Sequence, residues 1–132
     1  MALIVLVLVT GVIFLIADAI MLSTVMQPLF AQHLGETLRD DIRPLPAVLF
    51  YLIYMVGLVW FAGWPALRDG TPVTALVNGA ILGFVAYGTY ELTSWTVMRD
   101  WHPSMVVADM AWGATLTALS AWGGVMAARA IG

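Results

Sequence analysis

The sequence predicts an all-α integral membrane protein, a four-helix bundle with a short interfacial helix between the first and second spans. Two observations carry the prediction. Of 132 residues, 62% are hydrophobic and only 10% charged, with a mean hydropathy of +0.96, which is far too apolar for a soluble domain of this size. The apolar residues also gather into four stretches near the ~20 residues that cross a hydrocarbon core as helix, and backbone in a bilayer must satisfy its hydrogen bonds internally.

The first span is expected over about residues 2–24, apolar except for Asp18 and a few small polar residues. Ala17-Asp18-Ala19 has the small-x-small form of a signal cleavage site, but no positive n-region precedes it, so a retained transmembrane helix is expected. The second, third and fourth spans are expected over about 46–64, 73–98 and 104–128, within one domain. Pro46, Pro72 and Pro103 stand near their starts, where a missing N–H costs nothing, and Trp64-Pro65 is read as the stop of the second. In the long connection, Leu29, Phe30, Leu34 and Leu38 fall along one helical face with His33, Glu36 and Arg39 nearby, which predicts the interfacial helix. Its rival is a solvated loop with incidental apolar residues.

Four spans place both termini on one side with Arg68 and Asp69. The other side receives the long connection with Arg39 and Arg43 and the turn Arg99 to His102. Arginines divide almost evenly between the sides, so the positive-inside rule sets no orientation.

Composition excludes several functions. Eight acids face five basic residues, all arginine, for a net charge of −3, so there is no basic footprint for nucleic acid. The absence of cysteine removes thiolate metal sites and covalent haem, and the absence of lysine removes a Schiff base. The histidines, His33 and His102, lie outside the spans. A metal bridging His33, Glu36 and His102 to Glu91 or Asp109 is conceivable but short of histidine ligands, and no metal or cofactor is expected.

What remains is carboxylates inside the membrane. Asp18 comes about six residues before the end of the first span, Glu91 about seven before the end of the third and Asp109 about six after the start of the fourth. At ~1.5 Å per residue the three lie in one layer, roughly 8 to 11 Å below one surface. Tyr51 and Tyr54, early in the second span, fall near the same layer, and Tyr87 lies one turn before Glu91. An acid at a helix centre costs roughly 2.5 to 3.5 kcal/mol, so these acids should face inward. The third span supports this, since Ala75, Gly79, Gly83, Tyr87, Glu91 and Trp95 recur every four residues, with Gly79 and Gly83 as a small-xxx-small contact for another helix.

Two readings stay open. The acids are hydrogen-bond anchors between helices, or they form a site that binds a cation, a proton or a small ligand. Trp60, Trp64, Trp95, Trp101 and Trp122 read as interface anchors or packing.

"FYLIYMVGLVWFAGWPAL" (50–67), "VAYGTYELTSWTVMRDW" (85–101) and "VVADMAWGATLTAL" (106–119), with Asp18, resemble a bacterial family of predicted four-helix membrane proteins known as domain of unknown function family 2177. The similarity covers nearly the whole chain. The family's tyrosine-acid-leucine-threonine and aspartate-hydrophobe-alanine-tryptophan-glycine elements correspond to Tyr90–Thr93 and Asp109–Gly113. Glu91 stands where the family pattern has aspartate, and Ser94-Trp95 replaces asparagine followed by a smaller apolar residue. The resemblance implies a bacterial inner-membrane protein and brings no catalytic assignment.

The functions that fit are a membrane protein with an intramembrane carboxylate site, an accessory subunit of a larger respiratory or photosynthetic membrane complex, and, third, a lipid-modifying enzyme for which no residue specifies a reaction. The expected surroundings are the lipid bilayer and either a homo-oligomer or a larger complex.

Overall fold

The first helical run is longer than the sequence suggests. In a computed structural model describing residues 1–38 and 43–132, α1 (Ala2–Met21) passes through a π-helical turn (Leu22–Met26) into α2 (Gln27–Leu34) and a 3-10 turn (Gly35–Thr37). Pro28 explains the wide turn, because a proline ring within a helix collides with the carbonyl four residues back and offers it no N–H. The hydroxyls of Ser23 and Thr24 donate to the carbonyls of Ala19 and Ile20 at 2.9 and 2.6 Å, which steadies this part of the helix. Gly35, at φ +52°, ends α2 in the left-handed region open to glycine. Arg39, assigned above to the interfacial helix and to the count of arginines, lies outside the described residues.

The second run repeats the device. α3 (Pro44–Leu58) continues through a π-helical turn (Val59–Gly63) into α4 (Trp64–Arg68). Trp64-Pro65 was expected to stop this helix, but the helix runs on to Arg68 because the wide turn absorbs the proline. The carbonyl that Pro65 cannot serve, that of Phe61, accepts from Asn78 Nδ2 at 3.2 Å. Asn78→Ala should therefore lower stability by about 1 kcal/mol, in the range of single interhelical hydrogen bonds in membranes. Equilibrium unfolding in mixed micelles would show the loss, with Asn78→Asp as a variant that keeps the shape but removes the donor.

α5 (Pro72–Val97) starts with proline in its first turn and with the Thr71 N–H donating to Thr74 Oγ1 at 3.3 Å. α6 (Pro103–Ile131) starts the same way, with His102 Nδ1 accepting from the N–H of Ser104 at 3.1 Å.

The runs pack around α6, whose most extensive partners are α5 and then α1. The stripe Leu6, Thr10 and Phe14 of α1 is buried and recurs every four residues, and Asp18 is the next position on it. In α5, Ala75, Gly79, Gly83 and Glu91 are buried. Trp95 departs from the predicted stripe and is 46% exposed, because four residues turn about 40° more than a full helical turn and the row rotates out of the contact. Gly83 marks the closest approach. A Cβ built there would run into the carbonyl of Gly113 and lie 2.7 Å from Thr117 Oγ1, and one on Gly79 would lie 2.8 Å from the Cα of Ala118.

Among the described residues, three helical runs are long and apolar enough to cross a membrane, Ala2–Thr37, Pro44–Arg68 and Pro72–Val97. α6 falls short of that measure of apolarity. Its buried positions include Gly113, Thr117, Ser120 and Gly124, and such small residues let backbones approach closely.

Candidate functional site

The three acids converge from three helices. Asp18 sits at the end of the buried stripe of α1 and accepts two hydrogen bonds from other helices: Tyr51 Oη of α3 at 2.5 Å on Oδ2 and Trp112 Nε1 of α6 at 3.3 Å on Oδ1. Glu91 of α5 is completely buried and accepts from Trp101 Nε1 at 2.9 Å on Oε1. Its second oxygen, Oε2, is buried without a hydrogen-bond partner among the described residues. Asp109 of α6 stands beside Glu91 and within electrostatic reach of Asp18.

A cavity of about 520 Å³ adjoins this cluster. Asp18 and Asp109 lie in its wall with Tyr51, Tyr87 and Tyr90, while the rest of the wall includes Leu22, Met26, Phe30 and Phe50. Glu91 is not in the wall and lies behind Asp109. The Tyr87 ring rests on Gly113, where a Cβ would enter the ring, so the glycine of the "DMAWG" stretch is the seat of a cavity residue.

Not every expected residue arrives here. Tyr54 is buried, but its hydroxyl pairs with Thr117 Oγ1 at 2.8 Å and it takes no part in the cavity wall. It belongs to the contact of α3 with α6, because it is one helical turn beyond Tyr51 toward the middle of the bundle. Gly79 and Gly83 serve the α5–α6 contact and not the cavity.

Two tryptophans were missed as acid partners. Trp101 is 8% exposed and its ring meets Phe30 and Tyr90 edge-on, with centroids at 5.4 and 5.5 Å. It is a buried donor that ties the α5–α6 turn to Glu91, and not an interface anchor. Trp112, part-buried within α6, ties that helix to Asp18 of α1. The available signal was chemical, since an indole N–H that is buried needs an acceptor and the acids are the strongest acceptors in this layer.

The predicted amphipathic face of α2 is present and packs on protein. Leu34 is buried with Trp101, Met105 and Val106, and Leu29, Phe30 and Leu38 pack against that group. The histidines meet above it. The His33 and His102 rings stack at 4.1 Å, and Ser104 Oγ lies 3.3 Å from His33 Nε2 and 2.8 Å from His102 Nδ1. No group of three or more histidine and acidic side chains arranged to hold a metal ion occurs among the described residues.

Comparison with curated proteins and with solved structures finds no match to this chain. A family model described as predicted membrane protein (DUF2177) matches residues 3–126, and the chain belongs to that family.

Proposed function

We propose that this is a four-span protein of the bacterial inner membrane, with both termini on one side, whose acids Asp18, Glu91 and Asp109 form an intramembrane site for a cation, a proton or a small ligand. α6 serves as the fourth span. Its 29 residues cover about 44 Å at ~1.5 Å each, more than the ~30 Å of a hydrocarbon core, and protein neighbours replace lipid along much of its surface. The first run, of 36 residues, exceeds the core by more, so α2 falls at the interface beside the acidic layer.

The observation that carries the reading is Glu91 Oε2, fully buried against Asp109 with no donor group from the described residues, while Asp109 itself lies in the wall of the cavity. An acid that only anchors helices has its acceptors taken by donors, as Asp18 does. Glu91 is half satisfied, and a buried acceptor left unmade is expensive. A bound cation, proton or donor ligand supplies what is missing.

The indoles of Trp101 and Trp112 touch the acids and report on them. In purified protein titrated with protons, sodium, calcium and methylammonium, at least one should give a saturable change in tryptophan emission. That change should vanish in Asp109→Asn and persist in Asp69→Asn, which alters an exposed acid paired with Arg68. Flat titrations with all four, or an unaltered response in Asp109→Asn, would overturn the proposal.

A second reading, an accessory subunit of a larger membrane complex, draws on an apolar groove of about 460 Å³ lined by Leu3 and Val7 of α1 and Leu52 and Val56 of α3. Mass determination after gentle solubilisation separates the readings, because an accessory subunit is recovered with its complex in fixed ratio.

A further inference from the structure

We propose that the cavity beside Asp18 and Asp109 binds an amphiphile with a single apolar chain and a protonated primary amine as its head, the amine on the acids and the chain along the apolar wall. This rests on the reading of the acids as a binding site and adds the class of ligand.

Size comes first. About 520 Å³ falls among small-molecule pockets, which run from about 300 to 1,000 Å³, and far exceeds what a proton or a bare metal ion needs. The wall then decides between organic ligands. Beyond the acids, Gln27 and the tyrosines, it presents Leu22, Met26, Phe30, Leu38, Phe50 and Ala86, an apolar stretch that offers nothing to a sugar or to a hydrated ion whose polar groups would go unpaired. An apolar chain fits that stretch, and a polar head fits beside the acids.

Charge identifies the head. The sequence contains no lysine, and the arginine contacts described go to the carboxylate of Asp69 and the carbonyl of Gly70, away from the cluster. The three acids thus have no counter-cation among the described residues. Asp109 carries the charge of the acids into the cavity wall, with Glu91 behind it. A primary ammonium set against Asp109 in the cavity wall brings one positive charge and three N–H donors. An alcohol of the same length lacks the charge, and a quaternary ammonium lacks the donors.

Native mass spectrometry of the purified protein, released from detergent in the presence of dodecylamine, dodecanol or ethylamine, tests this directly. One dodecylamine should bind per chain, at least tenfold tighter than either comparison compound. Asp109→Asn should weaken it at least tenfold, and so should Ala86→Phe, which fills the cavity wall. Val56→Phe, in the apolar groove on another face, should leave it unchanged. A series of butyl, octyl and dodecyl amines on the unaltered protein should show affinity rising with chain length, which needs no variant to fold. Ethylamine binding as tightly as dodecylamine, with no gain along the series, would overturn the amphiphile while leaving a cation site intact. Dodecanol binding equally well, with Asp109→Asn without effect, would reduce the cavity to an apolar cleft. Binding by none of the amines, with flat ion titrations, would remove both the ligand class and the site.

Discussion

Replacing Gly83 with alanine is expected to cost about 3 kcal/mol or more, although it adds a single methyl group and raises intrinsic helix propensity. The methyl has nowhere to go, since its position is taken by the backbone carbonyl of Gly113 and approached to 2.7 Å by Thr117 Oγ1. Overpacking typically costs about 1 to 3 kcal/mol when side chains can yield; a backbone carbonyl inside a helix cannot, so the helices must separate. The control is Gly57→Ala in α3, where a Cβ meets nothing within 4 Å and the helix gains the ~0.5 to 1 kcal/mol by which alanine exceeds glycine. Unfolding both variants in mixed micelles, followed by helical circular dichroism, compares two chemically identical changes. Equal stability of the two would show that α5 and α6 do not meet at Gly83. The damage should also spread to the cavity, because Tyr87, one turn on from Gly83, rests on Gly113.

The same contact shows what a sequence discloses about such a protein. The row Gly79, Gly83 and Glu91 was legible as one face of a helix because small residues repeating every four positions mean close approach whatever the partner. That the partner is α6 was not, since α1 also carries a glycine and hydropathy does not rank pairings. Hydropathy also gives α6 little weight among the spans, because the small and hydroxylated residues that pack it centrally lower its apolarity. Proline was misleading at Trp64-Pro65, where the rule that proline stops a helix yields to a wide turn and to Asn78, a residue 17 positions away that caps the orphaned carbonyl. The acids were placed in one layer by counting along spans, but their donors were not. Tyr51 was expected near Asp18, whereas Trp101 was read as an interface anchor or packing and Trp112 was given no acid partner, until the structure set each indole N–H against an acceptor. Tyr54 shows the converse, a correctly placed residue whose hydroxyl is used elsewhere.

Glu91 separates the structural from the functional contribution of the acids. Its carboxyl makes one hydrogen bond to protein, from Trp101, and presents its other oxygen beside Asp109 without a donor between them. In Glu91→Gln the amide oxygen still accepts from Trp101, and the amide nitrogen can donate toward Asp109, a hydrogen bond that the glutamate can make only when a proton is present. Stability should therefore equal or exceed that of the unaltered protein. In Glu91→Leu the shape is nearly kept, but Trp101 Nε1 is left buried and unpaired and Asp109 loses its neighbour. A buried donor left unmade costs about 1 to 3 kcal/mol, offset in part by the carboxyl that need no longer be desolvated, so a net loss of roughly 2 kcal/mol is expected. Any saturable response to cations should be lost in both variants, because neither supplies the carboxylate. The ordering in stability, glutamine at least equal to glutamate and both above leucine, tests the hydrogen-bond geometry. The shared loss of the response tests the site. A glutamine variant that keeps its full response to cations would return Glu91 to the role of an anchor for the α5–α6 turn and leave the site to Asp18 and Asp109, the two acids in the cavity wall.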